Sequence, residues 1–412
     1  MHAGDALEKN ADGFPVSALV DTLMIVPIDS IAMSLPSVQE TLAQLVRINS
    51  VNSAYEGGPG EGEIAEWVRR FFAERGIGVW TDPVWPGRPN VIARLPGRDP
   101  SRRIVLEAHL DTVSVQGMII PPFEPRVENG RLYGRGACDT KGGLAAMMCA
   151  VAAVHAAGIP PPCEVWLAAV VDEEFSFRGV SKLCEGLVAH AAVVAEPTEL
   201  RVVMASKGVL RWRIRVEGRS AHSGKPHLGI NAITHMARIV LAFEEEHDRL
   251  AATVHPLLGP ATCNVGRIHG GVQVNFVPAE CVIEIDRRLL PGENAAKVLA
   301  GYRSLLDGLQ SRHPTLQAIM EPPMLVDEAL ETPPNSPVVQ LATALLAERG
   351  LAARPCGVPF GSDASKLSRQ GVPSIVFGPG SIDHAHAAVE YVEMADVEVA
   401  MGFYRDFILR FQ

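Results

Sequence analysis

Three acidic residues stand side by side at the end of an apolar run. Asp172, Glu173 and Glu174 follow CEVWLAAVV directly, and no Lys or Arg occurs after them until Arg178. Adjacent carboxylates near a buried strand end repel one another, and their charged forms are costly unless a positive charge lies close by. The stretch is therefore either a solvated acidic loop or part of a site for a cation that comes from outside the chain.

The ends of other apolar runs carry the same kinds of side chain. These candidates follow the runs RRIVLEA, AAVVA and PSIVFGPG or lie in the loop YGRGACDTKGG, and they are His109, Asp111, Asp139, Glu196, His384 and His386. Ligands of open α/β sheets bind beyond the carboxyl ends of the strands. Imidazole and carboxylate groups suit zinc, and two metals about 3.5–4 Å apart can share a carboxylate and activate water. The pattern predicts a metal centre that hydrolyses a substrate.

Each candidate has an ordinary explanation when it is taken alone. His109 is acceptable as a core histidine, Asp139 as a helix N-cap and Glu196 before Pro197 as part of a turn. The two histidines of the last segment are acceptable in a polar loop. All of these explanations must hold at once, at one edge of one sheet, if the metal centre is absent, so the joint pattern favours metal binding.

The composition limits the possible partners. The chain has 412 residues, a net charge of −10 and seven cysteines, none in a Cys-x-x-Cys pair. The negative charge argues against nucleic acid and anionic membranes, and the cysteine spacing argues against a thiolate zinc site. The apolar stretch SALVDTLMIVPIDSIAM is interrupted by Asp and Pro, so we interpret it as neither a signal peptide nor a membrane span. These features predict a soluble cytoplasmic protein.

The candidates must be positioned by a mostly parallel sheet. Apolar strand-length runs such as NVIARL and CEVWLAAVV alternate with helical patterns such as EGEIAEWVRRFFAERG. Strands that are apolar throughout, alternating with helices, are typical of a parallel sheet covered by helices on both faces. We predict an N-terminal extension (1–35), a catalytic domain in two parts (36–207 and 323–412) and an insert (208–322).

The predicted insert has a different sequence pattern. VLRWRIRVEG and CVIEIDRRLL alternate apolar and charged residues, as half-exposed strands do, and two amphipathic helical patterns accompany them. This combination predicts a smaller α+β sandwich of two layers, of ferredoxin-like type.

These motifs together resemble one family. The segments HLD, GRGACDTKGG, DEE, AEPT and GPGSIDHAH are similar in order and spacing to those of the di-zinc metallohydrolases that include acetylornithine deacetylase, succinyl-diaminopimelate desuccinylase, aminoacylase and carboxypeptidase G. The resemblance covers roughly residues 38–412. It implies two Zn²⁺ ions, with Co²⁺ or Mn²⁺ possible because such ligands accept them.

The resemblance also implies roles for the residues of the metal centre. Asp139 would bridge the two ions, and a cis peptide bond after it is typical of the family. One ion would be held by His109 and Glu196, and the other by Glu174 and His386. Glu173 would act as general base and Asp111 would orient the His109 ring, a carboxylate–histidine–zinc arrangement.

The resemblance extends to substrate contacts. GRSAHSGKPH resembles the family's dimerisation motif and implies that His222 stabilises the oxyanion, in many members at the partner's site, so a homodimer is expected. By the same resemblance Asn275, Arg288 and Ser362 contact the substrate, with Arg288 as a clamp for its carboxylate.

Two departures from the family pattern stand in the last motif. Val389 occupies a position where the family usually has Asp or Asn, and His384 offers a second imidazole two residues before His386. We expect a hydrolase that cleaves small N-acyl-L-amino acids. A carboxypeptidase or dipeptidase acting on short peptides would share the metal ligands, and a non-catalytic binding protein that keeps the fold is the alternative from another class.

Overall fold

The computed structural model describes residues 37–412. Its α-helices are, in chain order, α1 (Val38–Arg47), α2 (Gly62–Ala73), α3 (Gly142–Ala156), α4 (Arg178–Cys184), α5 (Ala232–Leu250), α6 (Ala295–Arg312), α7 (Pro337–Glu348), α8 (Ala364–Arg369) and α9 (Met394–Arg410). Its first ten β-strands are β1 (Gly78–Trp85), β2 (Arg88–Leu95), β3 (Asp99–His109), β4 (Arg126–Glu128), β5 (Arg131–Tyr133), β6 (Cys163–Val170), β7 (Ala191–Val194), β8 (Val203–Ser206), β9 (Gly208–Glu217) and β10 (Val254–His255). The later β-strands are β11 (Gly259–Pro260), β12 (Thr262–Gly270), β13 (Glu280–Leu289), β14 (Gln317–Met320), β15 (Leu325–Asp327), β16 (Leu330–Glu331), β17 (Cys356–Val358), β18 (Ser374–Val376) and β19 (Tyr391–Glu393).

A mixed sheet forms the larger part of the molecule. Its strand order is β1-β2-β6-β3-β7-β18-β8-β16, and β17 pairs with β8. The central strands β6, β3, β7 and β18 run parallel to one another, whereas β1 and β2 on one side and β16 on the other are antiparallel to their neighbours. The carboxyl ends of the central strands therefore meet at one edge, as the apolar runs predict.

Both faces of this sheet are covered. Val105 of β3 packs with Val180 and Leu183 of α4 and with Leu367 of α8. The residue before Val105, Ile104, points to the opposite face because side chains of a strand alternate, and it is also fully buried. Helix α3 contacts β3 and β6 as well as α1 and α9. The α/β class with helices on both faces is confirmed.

The segment Ala137–Ala156 is long and apolar enough to cross a membrane. The segment includes α3, and 94% of its most apolar stretch of 18 residues is buried inside the protein. Burial against a sheet and two helices is what a core helix requires, so its composition follows from its place in the fold.

The second sheet is built mainly from the predicted insert (208–322), and β15 (Leu325–Asp327) joins it from beyond the predicted end of the insert. Its order is β12-β13-β9-β14, with β15 also paired to β9, and all of these pairs are antiparallel. Alternate residues of β9, such as Trp212 and Ile214, pack with Met236 and Phe243 of α5. This layer of strands under α5 and α6 confirms the two-layer α+β prediction. The exact domain boundaries remain a prediction, and the proposed extension (1–35) lies outside the described residues.

Candidate metal centre

Asp139 lies between two imidazoles. His109, the last residue of β3, places Nε2 at 3.0 Å from Oδ1 of Asp139, while Nε2 of His386 lies 3.1 Å from Oδ2. Asp139 has a non-helical backbone (φ −120°, ψ 96°) in the short segment Ala137–Lys141 before α3, and the peptide bond that follows it is cis. The two carboxylate oxygens thus face different histidines, which is the arrangement that a bridging ligand requires.

The carboxylates from neighbouring strand ends complete two groups of possible ligands. His109, Asp139 and Glu174 form one group, and His109, Glu173 and Glu196 form the other. In each group the potential ligand atoms, a ring nitrogen or a carboxylate oxygen from each residue, lie within 4.8 Å of one another. Glu173 and Glu174 follow the end of β6, and Glu196 follows the end of β7. The structure therefore brings together residues that are as many as 277 positions apart, from His109 to His386.

The charges of this cluster fit a cation site. Burial raises the pKa of Glu173, Glu174 and Glu196, because charged carboxylates lose their hydration there. Burial lowers the pKa of His386, but hydrogen bonds to Asp139 and Glu174 outweigh this and raise it to about 11. The carboxylates need positive charge, and within residues 37–412 the groups in contact with Asp139 and Glu174 that can carry it are the imidazoles of His109 and His386. Imidazole and carboxylate oxygen are donors that divalent cations such as zinc accept, so the residues fit a dinuclear centre.

The two neighbouring histidines of the last segment are separated by their contacts. Nε2 of His386 lies 3.1 Å from Oε1 of Glu174 as well as from Asp139. His384 instead shares a hydrogen bond of 2.9 Å with the hydroxyl of Tyr391 and stacks against its ring. His386 is therefore the one that the structure places at the cluster.

The carboxylate of Asp111 contacts the backbone of the acidic loop. The N–H groups of Glu173 and Glu174 donate to its two oxygens, each at 3.1 Å. The Nδ1 atom of His109 lies 2.9 Å from the backbone carbonyl oxygen of Asp111 and 3.6 Å from the carboxylate. The His109 ring is thus held mainly by the carbonyl, and the carboxylate positions the segment that carries the proposed base.

A buried polar network that was not predicted from the sequence lies behind the acidic loop. Nδ2 of Asn52 donates to Asp111 at 2.8 Å and to Asp172 at 2.9 Å. Arg88 donates to Glu61 at 2.7 Å and to Asp172 at 3.2 Å, and Glu61 accepts the N–H of Asp172 at 3.0 Å. No local motif indicates these contacts, because they depend on the pairing of β2 with β6. The pairing of strands cannot be predicted from a single sequence.

A second missed pair supports Asp139. One carboxylate oxygen of Glu390 accepts the backbone N–H groups of Cys138 and Asp139, at 3.0 and 3.2 Å. The other oxygen accepts from Arg135 at 2.6 Å, and both side chains are almost fully buried. Glu390 lies in the segment AAVEYV of the last motif. The sequence alone did not indicate that Arg135 is the partner of Glu390.

The remaining predicted site residues make no hydrogen bond to the cluster within residues 37–412. Arg288 of β13 donates to Asp286 at 2.7 Å and is partly exposed. His222 and Asn275 are exposed on the insert, where Ser223 donates its N–H to the carbonyl of Asn275. Ser362 is buried before α8, and within residues 37–412 its hydroxyl has no hydrogen-bond partner. These four side chains are therefore not tied to the cluster by hydrogen bonds among the described residues.

The fold and the cluster define a class of protein. Imidazole and carboxylate ligands that gather at the carboxyl edge of an α/β sheet, beside an inserted α+β layer, are the features of a metal-dependent hydrolase.

The comparisons with known proteins identify the family. The sequence profile of Peptidase family M20/M25/M40 matches residues 105–410. Acetylornithine deacetylase of Myxococcus xanthus is 33% identical over 338 residues, which cover 79% of this chain and 84% of that protein. The chain therefore belongs to Peptidase family M20/M25/M40, and it is a metal-dependent amidohydrolase.

Solved structures share the fold. A tripeptidase from Staphylococcus aureus has a TM-score of 0.74 at 22% identity and covers 90% of this chain and 96% of its own. A metallo-carboxypeptidase from Sulfolobus solfataricus has a TM-score of 0.71 at 19% identity, with coverage of 92% and 99%. A dinuclear metal-binding peptidase of the M20 family from Bacillus subtilis has a TM-score of 0.69 at 16% identity, with coverage of 91% and 98%.

Proposed function

We propose that this protein removes the acyl group from N-acyl-L-amino acids, with Glu173 as general base and two Zn²⁺ ions as cofactors. The observation that carries the proposal is the position of the Glu173 carboxylate, which lies within 4.8 Å of the offered ligand atoms of His109 and Glu196. A base must reach the attacking water while it remains close to the metal centre. The relative that is 33% identical, acetylornithine deacetylase, supports the acyl-amino acid as substrate.

We propose the ligands of the two ions from the family resemblance, and the contacts of Asp139 with His109 and His386 support them. His109 and Glu196 would hold one ion, Glu174 and His386 the other, and Asp139 would bridge them. Bound divalent cations polarise the scissile carbonyl and lower the pKa of water, and Co²⁺ or Mn²⁺ can replace zinc at such ligands.

The chain's own residues handle the proton and the substrate. The Glu173 carboxylate accepts a proton from the attacking water and transfers it to the leaving nitrogen, which departs as an amine. Arg288 binds the carboxylate of the amino acid, and its guanidinium is already oriented by Asp286. Asn275 and Ser362 are proposed to contact the rest of the substrate.

We further propose that the protein acts as a homodimer. His222, the proposed oxyanion-stabilising residue, is exposed on the insert, as is a group of apolar side chains on β12 and the loop after it: Ile268, Val272, Val274 and Phe276. Exposed apolar patches of this kind mark interaction surfaces. Light scattering gives the mass in solution. Mixing His222→Ala with Glu173→Gln then tests the shared site, because activity returns in mixed dimers only if His222 serves the partner's centre.

Two other functions make different predictions. A metallo-carboxypeptidase or dipeptidase would release the C-terminal residue of short peptides, an activity suited to the same metal ligands. A panel of N-acetyl amino acids and dipeptides, assayed with zinc-loaded protein, separates the two. A non-catalytic binding protein would hydrolyse neither substrate class, and in that case Glu173→Gln would behave like the parent.

A further inference from the structure

A cavity of about 520 Å³ opens beside the acidic loop. Its wall combines apolar rings, two guanidinium groups and other polar groups, and includes Trp85, Pro86, Arg88, Asp172, Phe175 and Arg178. None of the predicted ligands and substrate contacts accounts for this space. The position of the cavity beside the metal centre and the charge of Arg178 indicate which part of a substrate it binds.

The cavity lies at the same edge of the sheet as the metal centre. Strand β2 runs antiparallel to β6, with Val91 opposite Ala169, so the turn before β2 lies beside the end of β6. The hydrogen bond from Arg88 to Asp172 joins these two segments directly. Because Glu173 and Glu174 follow Asp172 in the chain, the acidic loop borders both the cavity and the metal centre.

The insert joins the sheet beside β8, on the other side of the central strands from β6. It begins directly after β8, which is separated from β6 by β3, β7 and β18. Arg288 pairs with Val209 at the start of β9, close to this junction. An amide over the metal centre with its carboxylate toward Arg288 would therefore direct its other end toward β6 and β2. That end is the acyl group.

Arg178 supplies the charge of the cavity. Its guanidinium carbon lies 4.4 Å from the centroid of the Trp85 ring, a cation–π distance. In the described part of the chain no carboxylate lies within 4.0 Å of this guanidinium, whereas Arg88 in the same wall is neutralised by Glu61 and Asp172. Arg178 is therefore free to bind an anion.

Phe175 supplies apolar surface next to this charge. Its side chain is 58% exposed although it follows a predicted metal ligand directly. The loop that presents it is bounded by two non-glycine residues with left-handed backbone, Asp172 (φ 71°) and Phe177 (φ 59°). Such conformations cost free energy and persist where the surrounding contacts fix them, typically at functional sites. Asp172 is fixed by Asn52 and Arg88, as described above.

We propose that this cavity binds the acyl group of the substrate and selects acyl chains that end in a carboxylate. Trp85, Pro86 and Phe175 pack against the methylene groups of the chain, and Arg178 binds the terminal carboxylate. This inference rests on the proposed deacylase function, since it assigns the acyl side of the same substrate.

The test compares two substrates that differ in one charge. N-succinyl-L-ornithine ends in a carboxylate, and N-succinamoyl-L-ornithine has a neutral amide of nearly the same shape. Their dissociation constants are measured by calorimetry on zinc-loaded Glu173→Gln, which lacks the proposed base, with and without Arg178→Gln. We expect the anionic ligand to bind about fivefold more tightly than the neutral one, the size of a favourable exposed ion pair, and this preference to disappear with Arg178→Gln.

Arg126→Gln in the Glu173→Gln background is the matched control. Arg126 is also exposed and also lies over an aromatic ring, that of Tyr133 at 5.3 Å, but it is not part of the cavity wall. Its replacement is expected to keep the preference of the Glu173→Gln protein. An equal preference with and without Arg178, or no binding of the succinyl compound to the Glu173→Gln protein, contradicts the inference.

Hydrolysis by the parent protein is a separate result. If the parent hydrolyses N-acetyl-L-amino acids but the Arg178 comparison shows no change in preference, the deacylase proposal stands and the cavity assignment fails. If the parent hydrolyses no N-acyl amino acid while the charge preference depends on Arg178, the deacylase proposal fails and the cavity still binds the anion.

Discussion

The backbone N–H of Glu173 donates to Oδ1 of Asp111 at 3.1 Å. Together with the matching bond from Glu174 and the amide of Asn52, this contact surrounds a fully buried carboxylate with donors. The position of the proposed base therefore depends on Asp111 through the backbone, in addition to any effect of Asp111 on the His109 ring.

Asp111→Asn should reduce activity more than it reduces stability. An amide keeps one acceptor oxygen, but its NH₂ group then faces a backbone donor, so the acidic loop shifts. Loss of a partner that orients a metal site typically costs about 10- to 100-fold in activity or metal affinity. Steady-state kinetics with parallel measurement of bound zinc checks this. A kcat/KM within twofold of the parent would show that the Asp111 contacts do not position the base.

Glu390→Gln should destabilise the fold strongly. The glutamine oxygen can still accept from Cys138 and Asp139, but its NH₂ group then faces Arg135, which is left buried without a negative partner. Breaking a buried ion pair in this way costs about 3–5 kcal/mol. Urea unfolding of the zinc-loaded proteins measures the change in the free energy of unfolding.

The matched control for Glu390 is Glu393→Gln. Glu393 pairs with Arg131 at 2.7 Å, but both side chains are 41% exposed, so the expected cost is about 0–1 kcal/mol. Equal losses in the two variants would mean that the Glu390 pair is no more important than a surface ion pair.

His386→Ala should remove one metal ion per chain, whereas His384→Phe should not. His386 contacts the carboxylates of Asp139 and Glu174. His384 instead shares a hydrogen bond with the hydroxyl of Tyr391. Phenylalanine keeps the ring stacking at position 384 and loses the hydrogen bond. Zinc content measured after dialysis separates the two histidines, and loss of zinc from His384→Phe instead would reverse the assignment.

Stability near pH 4 should depend on Glu164. Burial raises the pKa of this carboxyl, but hydrogen bonds from Arg94 and Arg103 outweigh burial and lower its pKa below the usual value. A lowered folded pKa adds stability above the unfolded value of about 4.3, and this contribution is lost as the pH falls through the folded pKa. Glu164→Gln should therefore cost about 1 kcal/mol at pH 7 and progressively less below pH 4. A constant difference between pH 7 and pH 3 in urea unfolding would contradict this linkage.

The sequence predicted the site residues that lie at or just after the end of an apolar strand. His109, Glu174 and Glu196 were predictable because apolar runs end at them and parallel strands place their ends together. The sequence could not indicate contacts that depend on strand register, such as Arg88 with Asp172, or on long loops, such as Glu390 with Arg135. Of the short strands, β7 and β18 were predicted from their apolar runs, whereas β4, β16 and β17 were not, because two or three residues show no periodic pattern. Helices α8 and α9 were not predicted either.

Metal titration of the apo-protein tests the central claim most directly. Protein stripped with a chelator is titrated with zinc while bound metal and hydrolysis of N-acetyl-L-ornithine are measured on the same samples. We predict two ions bound per chain in the parent, activity that rises with their binding, and loss of both in Asp139→Ala. Metal-free parent protein with full activity would contradict the account.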